Sequence, residues 1–264
     1  SLTEAPSLSA TNLAEGCYFG MFNWCLSLKN ASTLPAETLA EDCYRCMFSG
    51  CLSLKSAPEL PATTLAKRCY TWMFIGCKSL QKAPKLPATI LAERCYQGMF
   101  WRCIALTEAP ALPAEKLADS CYQGMFYECI ALTEAPALPA AELSESCYLQ
   151  MFYNCKALIA VPELPATKLA RACYFAMFSG CKSLKTPAKL QTVSLEHDCY
   201  RGMFMRCSKL RLSEEQDDEY SEPYIISTES GREIFSKALD CMFKSTGGRF
   251  RRAPMVNKTY YLAM

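Results

Sequence analysis

The dipeptide Cys-Tyr recurs at Cys17, Cys43, Cys69, Cys95, Cys121, Cys147, Cys173 and Cys199, a period of 26 residues kept without a slip. Self-similarity at such a period dictates units too small to bury their own apolar face, stacked so that each closes its neighbour's core. All eight copies place Met-Phe four and five residues after the first Cys, a second Cys at eight and a Leu at eleven. Met21, Phe22, Cys25 and Leu28 are the first such set. Seven copies add a Leu at seventeen and another at twenty-two, as in Leu60 and Leu65, around a Pro-Ala pair such as Pro61-Ala62.

Within one unit, Leu39, Cys43, Met47 and Cys51 fall four apart, and Ala40, Tyr44 and Phe48 form a row beside them. Two adjacent rows at this spacing predict one broad apolar face on a short helix or on tight helical turns. The segment from Leu54 to Pro61 is too short and too rich in proline for a helix. Proline has no amide proton for a ladder, so a strand here is expected to span only a few residues and to stop near Pro58. The expected fold is an α/β solenoid of about eight strand-turn-helix units.

Units of the form Cys-Tyr-x-x-Met-Phe-x-x-Cys-x-x-Leu-x-x-Ala-Pro-x-Leu-Pro-Ala resemble the BspA-like leucine-rich repeats of Bacteroides-type surface proteins. The resemblance spans roughly residues 1–212 and extends more weakly to the tail, from Cys241-Met242-Phe243 through Thr246-Gly247-Gly248 to Phe250. It implies a right-handed superhelical solenoid, a cell-surface or secreted location, and adhesion to a protein or glycan on a host or neighbouring cell. It implies no catalysis and no defined site residues. The last full copy departs from the pattern, with Pro187-Ala188 in reversed order and Gln191-Thr192 where Pro-Ala is usual.

Composition narrows the function. The net charge of +2 offers no field for nucleic acid, and no run of eighteen apolar residues is present to cross a membrane. The chain starts at Ser1 with neither an initiator Met nor a basic-then-apolar leader, as expected of a mature or trimmed soluble fragment. A single histidine, His197, stands where other copies have Glu, Lys or Asp, so a surface role is expected. With no phosphate loop, nucleophile elbow or zinc ligand set, the sequence calls for no catalytic residue, metal or cofactor.

Comparison among the copies separates fixed slots from free ones. The second, third, sixth and seventh positions after each first Cys vary, and a helical unit turns them away from the core. They hold Phe19, Gly20, Asn23 and Trp24 in unit one, Thr71, Trp72, Ile75 and Gly76 in unit three, and Gln97, Gly98, Trp101 and Arg102 in unit four. Tyr127 and Tyr153 follow in units five and six. All three tryptophans lie in this set, and aromatics with arginine are the types that anchor interfaces. The competing reading is that these side chains simply lie over neighbouring units. A second candidate surface is the strand side, with Lys55, Ser56, Gln81, Lys82, Thr107, Glu108, Thr133 and Glu134. At about 4.8 Å per unit it would form a strip on the order of 40 Å long, suited to a protein or long glycan.

Eighteen cysteines in so short a chain would suggest a disulfide scaffold if the chain could not form a core, but with 51% hydrophobic residues it can. Sixteen occupy the two repeat slots, eight residues apart. A helix separates those by about 12 Å, too far for a disulfide, so stacked, reduced, buried thiols are expected. Cys43-x-x-Cys46 has no second pair or nearby histidine to make a zinc site. After Leu212 the repeat ends, and residues 213–264 are expected to cap it. Glu214, Glu215, Asp217, Asp218 and Glu219 read as a solvated loop, and Arg249, Arg251 and Arg252 as a solvated turn. Ile234, Phe235, Ala238, Leu239, Met242 and Phe243 predict a helix over the last open core, with strand-favouring Tyr260-Tyr261-Leu262 at the end. Two functions follow from the whole: a non-catalytic recognition or adhesion module, or a spacer that displays something else. A glycan hydrolase is the weaker third reading.

Overall fold

The computed structural model describes residues 2–191, 193–228 and 237–263. The 26-residue units lie on one another in register, and no α-helix occurs among the described residues. The expected helical return is instead a run of overlapping turns. In unit three, the N–H groups of Cys69, Thr71, Met73, Ile75 and Cys77 donate to the carbonyl three residues back. Those of Arg68, Tyr70, Trp72, Phe74 and Gly76 donate to Glu93, Cys95, Gln97, Met99 and Trp101 of the next unit at 2.7–3.0 Å. Alternate amides thus close the local turn and the unit boundary, and each carbonyl along the run receives one of the two kinds of bond. Every fourth residue is left-handed, as at Arg68, Trp72 and Gly76 with φ of 54°, 55° and 72°. A left-handed residue at that interval cannot belong to an α-helix, which explains why rows spaced by four, not 3.6, mimic one in the sequence.

The rows themselves form as expected. Cys, Tyr, Met, Phe, Cys and Leu of the interior units are fully buried, and the tyrosine rings stack unit on unit with centroids 5.7–5.9 Å apart. The phenylalanines stack likewise, Phe74 on Phe100 at 5.7 Å and Phe126 on Phe152 at 5.5 Å. Near-parallel planes at these separations are offset stacks, so each ring gains contact on both faces without a sandwich clash.

On the opposite side the expected strand shrinks to single bridged residues: Glu4, Asn30, Ser56, Lys82 and Glu108 pair in sequence, and Thr38, Thr64 and Ile90 form a second line. Prolines deny the ladder further donors. Regular strands lie at the C-terminal end: β1 (Arg211–Ser213), β2 (Tyr220–Ile225), β3 (Gly247–Gly248) and β4 (Thr259–Ala263), in the order β2-β4-β1-β3. β1 pairs parallel to β3 and antiparallel to β4, and β4 pairs antiparallel to β2.

The capping helix is also replaced. Ala238, Asp240, Met242 and Lys244 accept the amides of Tyr200, Gly202, Phe204 and Arg206, so this segment serves as a ninth turn run. Ile234 and Phe235 lie outside the described residues. The Phe243 ring extends the phenylalanine column and meets Tyr224 and Phe250 edge-on. The irregular last copy is where the cap reaches back: the Tyr224 hydroxyl donates to the Ala188 carbonyl at 3.1 Å, and Thr228 Oγ1 to the Val193 carbonyl at 2.9 Å.

The acidic run binds the cap to itself. Arg249 pairs with Asp217 and Glu219, Arg211 pairs with Glu219, and both guanidiniums lie over the Tyr220 ring. Lys258 holds Glu214 at 2.7 Å. The run is a solvated loop as expected, with Glu215, Asp217, Asp218 and Glu219 exposed, and its Glu214, Asp217 and Glu219 also gather cations of β1, of the segment after β3 and of the approach to β4. The Arg249 hydrogen bond, followed by backbone amides, holds the Asp217 carboxyl below its usual range, and Lys258 does the same for Glu214. A depressed folded pKa stabilises above the unfolded value, about 4, and that contribution is lost as pH falls through the folded value. Between pH 5 and 3 the amides of β2 are expected to lose exchange protection before those of the tyrosine and phenylalanine columns. Simultaneous loss would contradict the assignment.

Candidate functional site

The variable slots of the turn runs do not simply face solvent. Thr71 is buried, with its hydroxyl on the Arg94 carbonyl at 2.5 Å, and Trp72, Trp101, Tyr127 and Tyr153 are half-buried. The helical reading turned these outward; in a turn run the side chains of one slot instead align with the same slot above and below. Room for the indoles comes from glycine. A Cβ on Gly50 would stand 2.9 Å from the Trp24 ring, and one on Gly98 would stand 2.4 Å from that of Trp72. Trp101 also lies beside Gly124, but there an added Cβ would meet its ring at an ordinary 3.4 Å.

Two clusters result. At the N-terminal end the Arg45 guanidinium sits between the Phe19 and Trp72 rings, 5.4 and 5.3 Å from their centroids. Arg45 also meets Asp42, and Asp42 receives Arg68, whose hydrogen bond is the main cause of a lowered carboxylate pKa. Trp24 and Phe19 remain 67% and 53% exposed. In units four to six, Trp101, Tyr127 and Tyr153 stack in one column at 4.0 and 4.6 Å, tighter than the core columns. Arg102 pairs with Glu128 beside them at 2.7 Å, and Ile104 and Ile130, two residues further along each unit, are exposed. Burial, then the neighbouring Tyr153, raises the Tyr127 hydroxyl pKa. Sequence reasoning missed the isoleucines; their departure from the Lys found in the same slot at Lys78, Lys156 and Lys182 is a signal it could have used.

On the bridge side, Lys55, Lys82, Glu108 and Glu134 are all exposed along one edge. Lys82 and Glu108, together with Pro84, Leu86, Pro87 and Pro110, line an open cleft of about 410 Å³. The structure thus brings together two groups of the candidate residues and sets the charged edge apart from both.

The thiols have a role beyond filling space. All eighteen cysteines are free. Each second-slot thiol from Cys51 to Cys207 donates to the carbonyl of the phenylalanine one unit back, Cys103 to Phe74 and Cys129 to Phe100 at 3.1 Å. That carbonyl already accepts a turn amide, and the thiol fills its second lone pair. Burial pushes the Cys95 thiol up to about 12, which removes the thiolate needed for oxidation or metal binding at neutral pH. Among the described residues, no group of three His, Cys, Asp or Glu could hold a metal ion, and no helix is long and apolar enough to cross a membrane.

No family model matches the chain, and no curated protein does. Among solved structures it is similar to a leucine-rich repeat protein from Bacteroides ovatus ATCC 8483, at 14% identity over 93% of this chain and 74% of that one. The TM-score is 0.25, too low for the likeness to carry an argument about fold or function.

Proposed function

We propose that the chain is a BspA-like leucine-rich-repeat solenoid, secreted or at the cell surface, acting as a non-catalytic recognition module for a protein partner. The observation that supports this most is the patch of units four to six, where Trp101, Tyr127 and Tyr153 stack beside exposed Ile104 and Ile130 and the Arg102–Glu128 pair. Aromatic edges, aliphatic side chains and a charged rim are the make-up of a protein interface. A glycan platform needs free ring faces, and the two stacks use both faces of Tyr127 and one each of Trp101 and Tyr153.

The test is an array of host-matrix and bacterial surface proteins beside a glycan array, probed with the wild-type chain and with a triple variant Arg102→Ala, Ile104→Lys, Ile130→Lys. All three side chains lie at the surface, so the melting temperature is expected to hold while affinity for the protein hit falls at least tenfold. Binding that survives the triple change, or binding to glycans alone, would contradict the proposal; no binding at all would favour the spacer.

A further inference from the structure

Between the turn run and the bridge line, each of units three to seven makes a two-residue tight turn pinned at both ends by the core. In unit four the Leu106 amide donates to the Cys103 carbonyl at 3.1 Å, Leu132 bonds to Cys129 and Leu158 to Cys155 in the same way, and all six ends are fully buried. The two residues in between are held at the surface, tip above tip. The first of them is Lys78, Ile104, Ile130, Lys156 and Lys182 in turn, all exposed. The second is small in each, with Ser79 and Ser183 at the ends and Ala105, Ala131 and Ala157 between. Neither tip position holds an Asp or Glu in any of the eight copies. Lys67 and Lys168 hold carboxylates elsewhere, whereas the three tip lysines enter no ion pair among the described residues.

From this ridge we infer that the protein partner proposed above docks as an α-helix lying along the stack, with two apolar residues one turn apart and acidic residues on the turns beyond them. The inference rests on the recognition reading and gives that partner its chemistry. Spacing carries the first part. Equivalent phenylalanine rings of units three to seven repeat at 5.5–5.7 Å. An α-helix repeats at about 5.4 Å per turn, so one partner side chain meets each tip and the two stay in step to within about 1 Å over all five. A strand puts same-face residues about 6.8 Å apart and would slip by almost one unit over the same length. The small second residue of each tip leaves a shelf on which a helix can lie close. Charge carries the second part. Two exposed isoleucines in the middle call for aliphatic side chains, and unpaired lysines at both ends call for carboxylates. A sulfated glycan or an anionic lipid surface is disfavoured, because Glu108, Glu128 and Glu134 belong to the same two units as the isoleucines.

The probe is an Ala-rich helical peptide that carries Glu, Leu, Leu, Glu and Glu down one face, one residue per turn. Fluorescence anisotropy is expected to show it binding the wild-type chain at least tenfold more tightly than the same peptide with Lys in place of Glu. Lys156→Glu with Lys182→Glu, both at exposed side chains that leave the melting temperature in place, should reverse that order and make the Lys peptide the tighter ligand. A proline in the middle of the probe should abolish binding. Four results overturn the inference: no binding of the probe, equal binding of the two peptides, a charge reversal that leaves their order unchanged, or heparin or phosphatidylserine vesicles binding more tightly than the probe. The recognition reading is judged separately, on the protein array. A protein hit that the triple variant loses but the probe does not displace would remove the helix and leave recognition standing.

Discussion

Phe126→Ala is expected to lower the unfolding free energy by about 3–5 kcal/mol, measured by urea denaturation. The ring is wholly buried between Phe100 and Phe152, at 5.7 and 5.5 Å, so truncation opens a cavity at two unit boundaries at once. The stack cannot collapse into that space, because five backbone bonds on either side fix the spacing of the units. In a linear array stability is a sum of unit terms and nearest-neighbour terms, so a break in the middle uncouples the halves. The transition is expected to broaden and its urea dependence to fall, which loss of stability alone would not produce. Ile90→Ala, at an exposed side chain of the bridge side, serves as the control and should stay within about 0.5 kcal/mol.

Gly248→Ala should be nearly as damaging, but only at one end. Gly248 has φ of +78° in β3, and an added Cβ would stand 2.6 Å from both the amide nitrogen and the carbonyl oxygen of Leu212. These are backbone atoms of β1, which is also tied to β4, so nothing flexible can yield. Strain and overpacking together are expected to cost about 2–4 kcal/mol. Amide exchange should show the loss in Arg211–Ser213 and Thr259–Ala263, with the columns of units two to six still protected. At Gly98 the nearest obstacle is instead the Trp72 indole, a side chain that can turn aside, and the same substitution there should move fluorescence more than stability.

Period and burial were open to inspection in the residues, because a 26-residue repeat of Cys, Tyr, Met, Phe and Leu leaves only those positions for a shared interior. Conformation was not. A row spaced by four reads as helix, and what distinguishes a turn run is a left-handed residue at every fourth position, filled here by types as different as Arg68, Trp72, Gln150 and Ala176. Only the glycines among them, such as Gly20, Gly50 and Gly98, point to that geometry. The same substitution of turns for helix explains why the sequence left two readings of the variable aromatics open, a free surface or a cover over neighbouring units. Their identity was legible, but their stacking depends on which slots coincide between units. The thiol bonds were hidden for a different reason: a cysteine at a buried slot looks like a small hydrophobe until its neighbour's carbonyl is located. At the C-terminal end the apolar rows of Ala238, Leu239, Met242 and Phe243 signalled a cover, and that cover proved to be one more turn run joined to a sheet.

The central claim is that alternate amides of each run bond across to the next unit. Through-hydrogen-bond scalar couplings on labelled protein test it directly at the Phe74 amide. The account predicts a correlation with the Met99 carbonyl, 25 residues ahead, repeated at Phe100 with Met125 and at Phe126 with Met151. Correlation of Phe74 with the carbonyl of Tyr70, as an α-helix requires, would contradict it.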